Sequence, residues 1–154
     1  MRYYLDFDRT IFDTDAFVAY WQARVAADGG QEEQFAPGEL SQFLYADAAQ
    51  FLRDKENAVT IITFGTADFQ EAKIKSALHG IPRMSVMYTG EVRKGDFLAP
   101  HTHLHADAVL VDDSPEELEI LARTCPDLGL YEIRRDGGMG DGRWPVVRVV
   151  GEVA

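Results

Sequence analysis

The chain has 154 residues and a formal charge of −11, a length at which one domain buries about 68–70 per cent of its unfolded surface and needs no disulfide or structural metal. So acidic a balance argues against nonspecific nucleic-acid binding, which rests on lysine and arginine neutralising phosphates. No apolar run approaches the about 20 residues of a bilayer span, Cys125 is the single cysteine, and Met1 leads into a strand-like segment, so the expectation is one soluble domain over residues 1–154 in a reducing cytoplasm.

In chain order, the apolar run Tyr3-Tyr4-Leu5 reads as a strand that closes on Asp6 and Asp8, one residue apart. Strand alternation sends both carboxylates to one side, where a pair about 4 Å apart repels by about 4 kcal/mol at an effective dielectric of about 20. A cation or a proton relieves that repulsion. The pair therefore suits either a metal site or two carboxylates with divided duties, one nucleophilic and one shuttling a proton.

Phe17, Tyr20, Trp21 and Val25 recur at helical spacing, and the polar stretch from Asp28-Gly29-Gly30 to Pro37-Gly38 follows as a loop. Leu40, Phe43, Leu44, Ala48, Phe51 and Leu52 predict one amphipathic helix over residues 38–54. Val59-Thr60-Ile61-Ile62 is a buried strand ending in Thr63-Phe64-Gly65, a hydroxyl and a pliant backbone suited to phosphate oxygens. Thr66 can cap a helix over residues 67–78, and Met84-Ser85-Val86-Met87-Tyr88 reads as a third strand with Lys94 six residues on as a movable point charge.

His101, His103 and His105 share one face of an extended segment, but they precede a strand and so fall at the edge of the sheet away from ligands. They are expected in a solvated loop, with adventitious metal binding as the alternative. That strand, Ala108-Val109-Leu110-Val111, delivers Asp112-Asp113 at its end. Ser114-Pro115-Glu116-Glu117 then carries a capping serine, a first-turn proline and a glutamate three residues after the cap, which starts a helix aimed at Asp112 and Asp113. Leu130-Tyr131-Glu132-Ile133 and Val146-Val147-Arg148-Val149 flank the glycine-rich stretch Asp136 to Gly142. This arrangement predicts a hairpin tip, with residues 136–144 as a candidate lid carrying Arg143 or Trp144. Strands alternating with helices predict an α/β, three-layer, doubly wound and mostly parallel sheet.

Four strands in succession thus lead to a carboxylate pair, a hydroxyl, an ammonium and a second carboxylate pair. In this order, Leu5-Asp6-Phe7-Asp8-Arg9-Thr10, Ile62-Thr63, Lys94 and Val111-Asp112-Asp113-Ser114 resemble the motifs of the haloacid dehalogenase (HAD) superfamily of phosphohydrolases, over residues 2 to about 118. Receiver domains use similar residues but end on the lysine.

The resemblance implies a Rossmann-type core with a minimal helical cap or none, since a variable cap follows the first or third strand in the family. The span from Asp6 to Thr63 holds two helices and a loop, and that from Tyr88 to Lys94 almost nothing. A cap would be built at most from residues 14–37, leaving an open site. Such a site could take a large phosphorylated partner, borrow closure from a second subunit, or act on small phosphoesters.

The implied activity is Mg²⁺-dependent phosphomonoester hydrolysis through an aspartyl-phosphate on Asp6. Asp8 would be the acid and base, its pKa raised by proximity to Asp6. Thr63, Phe64 and Gly65 would hold the phosphoryl group with Lys94. Mg²⁺ would be bound by Asp6, Asp8 through its backbone carbonyl, Asp112 and Asp113, the last also orienting Lys94 or a water. Thr10 would shape the turn after Asp8. Dehalogenating members lack the second carboxylate, so Asp8 favours phosphoryl transfer. A binding module without turnover and a phosphotransferase or mutase are the alternatives.

Overall fold

The alternation that the sequence writes into its strands is the alternation that the sheet uses. A computed structural model describes residues 1–28, 34–82 and 84–153. Its strands are β1 (Arg2–Leu5), β2 (Val59–Thr63), β3 (Ser85–Tyr88), β4 (Ala108–Asp112), β5 (Gly129–Ile133) and β6 (Val146–Val147). They form one sheet in the order β3-β2-β1-β4-β5-β6, with every neighbouring pair parallel.

Tyr3, Leu5, Ile61, Val109 and Val111 face one layer, built from α1 (Thr14–Asp28), α2 (Ala46–Asp54) and α3 (Ala67–Ala77) through Phe17, Phe51, Leu52 and Ile74. Tyr4, Ile62, Ala108 and Leu110 face the other, built from α4 (Lys94–Leu98) and α5 (Pro115–Thr124) through Leu98, Leu118 and Leu121. The doubly wound, three-layer architecture expected from the strand–helix alternation is thereby realised, and the sheet is wholly parallel. Among the described residues no helix is long and apolar enough to cross a membrane.

Strand order reverses at β1: the chain builds outward through β2 and β3, then returns to place β4 on the other side. In open α/β sheets the crevice outside the carboxyl ends of the strands at such a switch point is where ligands bind. The register pairs Leu5 with Val111, and the Asp6 N–H donates to the Val111 carbonyl at 3.0 Å. One step further along, Asp6 and Asp112 therefore emerge side by side.

Three expected elements are corrected. The helix over residues 38–54 is two pieces, a 3-10 turn over Glu39–Phe43 and α2, separated by extended backbone at Leu44 and Tyr45. The break exists because Leu44 pairs antiparallel with Phe12, while Asp13 and Tyr45 bond to Phe43 and Ile11 across the same seam at 2.7 and 3.1 Å. Tertiary pairing with the turn after Asp8 overrides a helical apolar pattern.

The glycine-rich stretch is not a hairpin tip, because β5 and β6 are parallel and residues 134–145 make a crossover. Nor do Arg143 and Trp144 hang over the site as a lid. Arg143 donates to Glu119 of α5 at 2.5 Å, and Trp144 packs against the core layer that α5 covers. His105, expected in solvent with His101 and His103, is buried instead, its Nε2 at 3.0 Å from the Leu98 carbonyl. The other two histidines are exposed. Of the polar loop expected over residues 28–38 and the small cap over 14–37, residues 29–33 lie outside the described residues; the rest holds α1, whose Phe17 ring meets Phe35 and Phe43 edge to face and Phe12 and Phe69 at a tilt.

Candidate active site

Asp6 leaves β1 in the same phase as Tyr4, and Asp112 ends β4 in the phase of Leu110, so both carboxylates lie toward the layer of α4 and α5. Lys94 opens α4 there and drives its ammonium between them. Lys94 Nζ donates to Asp6 Oδ1 at 2.5 Å and to Asp112 Oδ2 at 2.6 Å, with all three side chains buried. Thr10 completes the cradle by donating its hydroxyl to Asp6 Oδ2 at 3.0 Å.

Lys94 is a fixed charge and not the movable one expected. Its backbone N–H donates to Glu117 Oε2 at 3.1 Å, and Arg93 donates to Glu117 Oε1 at 2.5 Å, so Glu117 ties the start of α4 to α5. Gly95 lets the two helices approach, since a Cβ there would lie 2.5 Å from Thr124 Oγ1 and 2.8 Å from Ile120 Cγ2. Ser114 caps α5 as expected, its Oγ accepting the Glu117 N–H at 3.3 Å. Glu117 does not reach back to the cap, because its carboxylate is engaged with α4.

One carboxylate oxygen from each of Asp6, Asp112 and Asp113 lies within 4.8 Å of the other two. Three carboxylates against one ammonium leave negative charge in excess. Burial, opposed by Lys94 and reinforced by Asp112, pushes Asp6 up to about 7. Burial also raises Asp112, and burial with the charge on Asp6 pushes Asp113 up to about 6. Burial alone would lower Lys94, but Asp6 and Asp112 outweigh it and hold the ammonium protonated well above its usual range. An all-oxygen donor set with uncompensated negative charge fits a hard divalent cation such as Mg²⁺.

No protein-family model and no curated protein matches the sequence. Solved structures do. A protein from Burkholderia xenovorans described as a haloacid dehalogenase-like hydrolase superposes with a TM-score of 0.71 at 18% identity, over 98% of this chain and 95% of that one. YfnB of Bacillus subtilis, described as a HAD-hydrolase and crystallised bound to magnesium, follows at 0.64 and 12%, over 99% and 96%. A haloacid dehalogenase-like protein from Bacteroides fragilis gives 0.60 and 13%, over 99% and 98%. The chain has the haloacid dehalogenase-like fold.

Within this HAD-like fold, Asp6, Asp8, Phe64, Lys94, Asp112 and Asp113 line one cavity of ≈ 220 Å³, together with Arg9, Arg93, Ser114 and Glu117. Gly65 lines a neighbouring hollow with Trp21, Thr66, Phe69 and Gln70. Thr63 ends β2 as expected, but its hydroxyl is sealed from solvent and has no hydrogen-bond partner among the described residues. Asp113 makes no bond to Lys94, whose orientation comes from Asp6 and Asp112.

The larger correction concerns Asp8. Burial would raise its pKa, but Lys73, Gln70 and Thr14 together lower it, opposite to the rise expected from Asp6. Lys73 Nζ donates to Asp8 Oδ1 at 2.6 Å, Thr14 Oγ1 to the same oxygen at 2.8 Å, and Gln70 Nε2 to Oδ2 at 2.9 Å. None of these three donors was among the expected site residues. A signal for two of them was present: Gln70, Lys73, Ile74 and Ala77 share one face of α3, so two polar residues stand inside a buried stripe.

The turn after Asp8 is strained to serve this arrangement. Arg9 sits at φ 60°, in the left-handed region that a non-glycine residue seldom enters. Its N–H donates to the Phe12 carbonyl at 2.8 Å and to Thr14 Oγ1 at 3.1 Å, which folds Thr10 back onto Asp6 and Thr14 onto Asp8.

Proposed function

We propose that the chain is a hydrolase of the HAD superfamily that cleaves phosphomonoesters through an aspartyl-phosphate on Asp6. The observation that carries this reading is the buried Asp6–Lys94–Asp112 cluster at the switch point of the sheet, with Asp8 in the same cavity. An apolar core gains nothing from two carboxylates and an ammonium at that depth, whereas a site handling a phosphoryl group needs an ionised nucleophile and cationic compensation.

In the first step an Asp6 oxygen bonds to phosphorus as the bond from phosphorus to the ester oxygen breaks. Asp8 gives that oxygen its proton, and the alcohol departs. A phosphate dianion arriving beside Asp8 raises its carboxyl pKa, supplying the acid form that this step requires. In the second step water attacks phosphorus and gives a proton to Asp8. The bond to Asp6 then breaks, and inorganic phosphate leaves. Lys94 neutralises Asp6 before attack and the transferring group after it, and Thr10 keeps Asp6 oriented. Mg²⁺ held by Asp6, Asp112, Asp113 and the Asp8 backbone carbonyl would add charge neutralisation for the phosphoryl oxygens. Phe64, which lines the cavity, and its chain neighbours Thr63 and Gly65 would hold those oxygens from the end of β2.

A cavity of ≈ 220 Å³ is below the about 300–1,000 Å³ of pockets that enclose whole ligands. It suits the phosphoryl group, with the body of the substrate outside, against the half-exposed Phe64 and the Arg93 guanidinium 5.4 Å from its ring. The open mouth suits small phosphoesters or a phosphorylated partner, with any closure supplied by a second subunit. The single buried free cysteine suits a cytoplasmic setting.

The test is phosphate release from p-nitrophenyl phosphate by wild type and Asp6→Asn, each with Mg²⁺ and with a chelator. Release by wild type with Mg²⁺ is expected, falling to background in Asp6→Asn and in the chelator. Release that survives Asp6→Asn would overturn the reading, and phosphate binding without turnover would identify a binding module.

A further inference from the structure

Lys73 lies outside the Asp6–Lys94–Asp112 cluster and is as deeply buried, with 3% of its surface exposed. The rings of Phe7, Phe12, Phe17 and Phe69 surround its ammonium, with centroids 5.4 to 5.7 Å away. Among the described residues its one hydrogen-bond acceptor is Asp8 Oδ1. The apolar layer does not call for this charge: a ring of four phenylalanines would accept an unbranched apolar side chain, and a buried ion pair is often no more stabilising than such a replacement.

The bonds around Asp8 are unevenly divided. Oδ1 accepts from both Thr14 and Lys73, while Oδ2 accepts from Gln70 alone. A carboxylate oxygen has two in-plane lone pairs, so Oδ1 is filled and one position on Oδ2 is open. Gln70 is held in turn, its Nε2 also donating to the Phe64 carbonyl at 2.9 Å. Both of its contacts are acceptors, which fixes the amide with nitrogen toward them and leaves Oε1 buried without a partner. A buried polar atom without a partner is costly, and the benefit visible here is a fixed Asp8.

We propose that Lys73, supported by Gln70, is a positioning residue that saturates Asp8 Oδ1 and so presents Oδ2 as the oxygen that protonates the leaving group and later takes the proton from water. This rests on the phosphohydrolase reading and extends it to α3. The balance of the first step is unchanged: Asp6 bonds to phosphorus, the ester bond breaks, and the proton on Asp8 Oδ2 goes to the departing oxygen.

The experiment measures alcohol release in the first turnover by wild type and Lys73→Met from two substrates in Mg²⁺. One is 2,4-dinitrophenyl phosphate, whose leaving group departs without a proton; the other is a simple alkyl phosphate, whose leaving group requires one. Lys73→Met is expected to lose about 100-fold on the alkyl ester and less than about 3-fold on the activated one, the range that general acid catalysis supplies. In an Asp8→Asn background the added substitution is expected to change neither rate by more than about 2-fold, as for residues acting through one group. Gln70→Leu, which leaves Lys73 in place, is expected to show the same selective loss and carries the test if Lys73→Met does not fold. Equal losses on both substrates, or a further loss in the Asp8→Asn background, would overturn the inference and leave the hydrolase standing. No release from either ester by folded wild type would overturn both.

Discussion

Two buried lysines flank β1, and their surroundings could hardly differ more. Lys94 stands among carboxylates, donating to Asp6 and Asp112 at 2.5 and 2.6 Å with Asp113 close by. Lys73 stands among phenyl rings, with the single carboxylate of Asp8 at 2.6 Å and that side chain 27% exposed. On one side negative charge exceeds positive, which attracts a cation and lets an ammonium be shared among several acceptors. On the other the charges match one to one and the rings allow little displacement, which holds a geometry. The same residue type thus serves neutralisation at one site and orientation at the other, and the difference comes from what surrounds each: the acidic ends of β1 and β4 at Lys94, and the rings of the turn after β1, of α1 and of α3 at Lys73.

Removing the Lys94 charge should break the comparison most sharply. Lys94→Met leaves Asp6 and Asp112 facing each other without compensation, a loss expected at about 3–5 kcal/mol in urea denaturation of the metal-free protein. Phosphate release in Mg²⁺ should also fall by about 100-fold or more, as when a preorganised charge-stabilising donor is lost. Lys73→Met should cost less in stability, because Asp8 reaches solvent; a larger loss there would refute the division of roles.

A subtler change moves Lys94 without touching its charge. Gly95→Ala places a methyl 2.5 Å from Thr124 Oγ1 and 2.8 Å from Ile120 Cγ2, an overpacking expected to cost about 1–3 kcal/mol in the same denaturation experiment. Activity should fall with it, because α4 carries Lys94 at its first position. An unchanged midpoint would show that α4 and α5 can separate freely.

The smallest effect expected is the dependence of stability on the charge at Asp113. Burial and the charge on Asp6 push its carboxyl up to about 6 from an ordinary 3.8. Wild type therefore keeps the full benefit of protonated Asp113 below about pH 4 and loses it as the pH rises through about 6. In chelator, Asp113→Asn should raise the melting temperature by a few degrees above pH 6, at about 2–4 °C per kcal/mol for a chain of this size. The gain should vanish toward pH 4 and reverse in saturating Mg²⁺, where a ligand has been lost. A lower melting temperature at pH 7.5 in chelator would contradict the raised pKa.

The parts of the molecule that the chain announces are those governed by local pattern. The first four strands end near the residues that define the site, because a buried parallel strand needs a continuous apolar run and the first polar residues mark its end. Ser114-Pro115 starts α5 because capping is a property of four consecutive residues. Asp6, Asp8, Lys94, Asp112 and Asp113 were legible as candidates for the same reason, each closing or following such a run. Phe64 joins them in the cavity, whereas Thr63 does not line it and its hydroxyl is sealed from solvent.

What was not legible depended on partners distant in sequence. Residues 38–54 carry a helical pattern but break at Leu44, because Phe12 pairs there. The stretch from Asp136 to Gly142 has hairpin chemistry but joins parallel strands, with β6 added at the edge of the sheet beside β5. His105 looked like its exposed neighbours until the Leu98 carbonyl supplied a partner. Lys73 and Gln70 read as ordinary helical residues unless their place in the buried stripe of α3 is weighed. The sequence by itself determined the strand–helix alternation, a mostly parallel sheet and the acidic ends of β1 and β4, because these follow from short-range periodicity and from the cost of burying charge without compensation. Only the tertiary structure decided that Lys94 is fixed between Asp6 and Asp112 and that Lys73 confines Asp8, because hydrogen bonds between residues 18 to 88 positions apart depend on how the helices pack across the sheet.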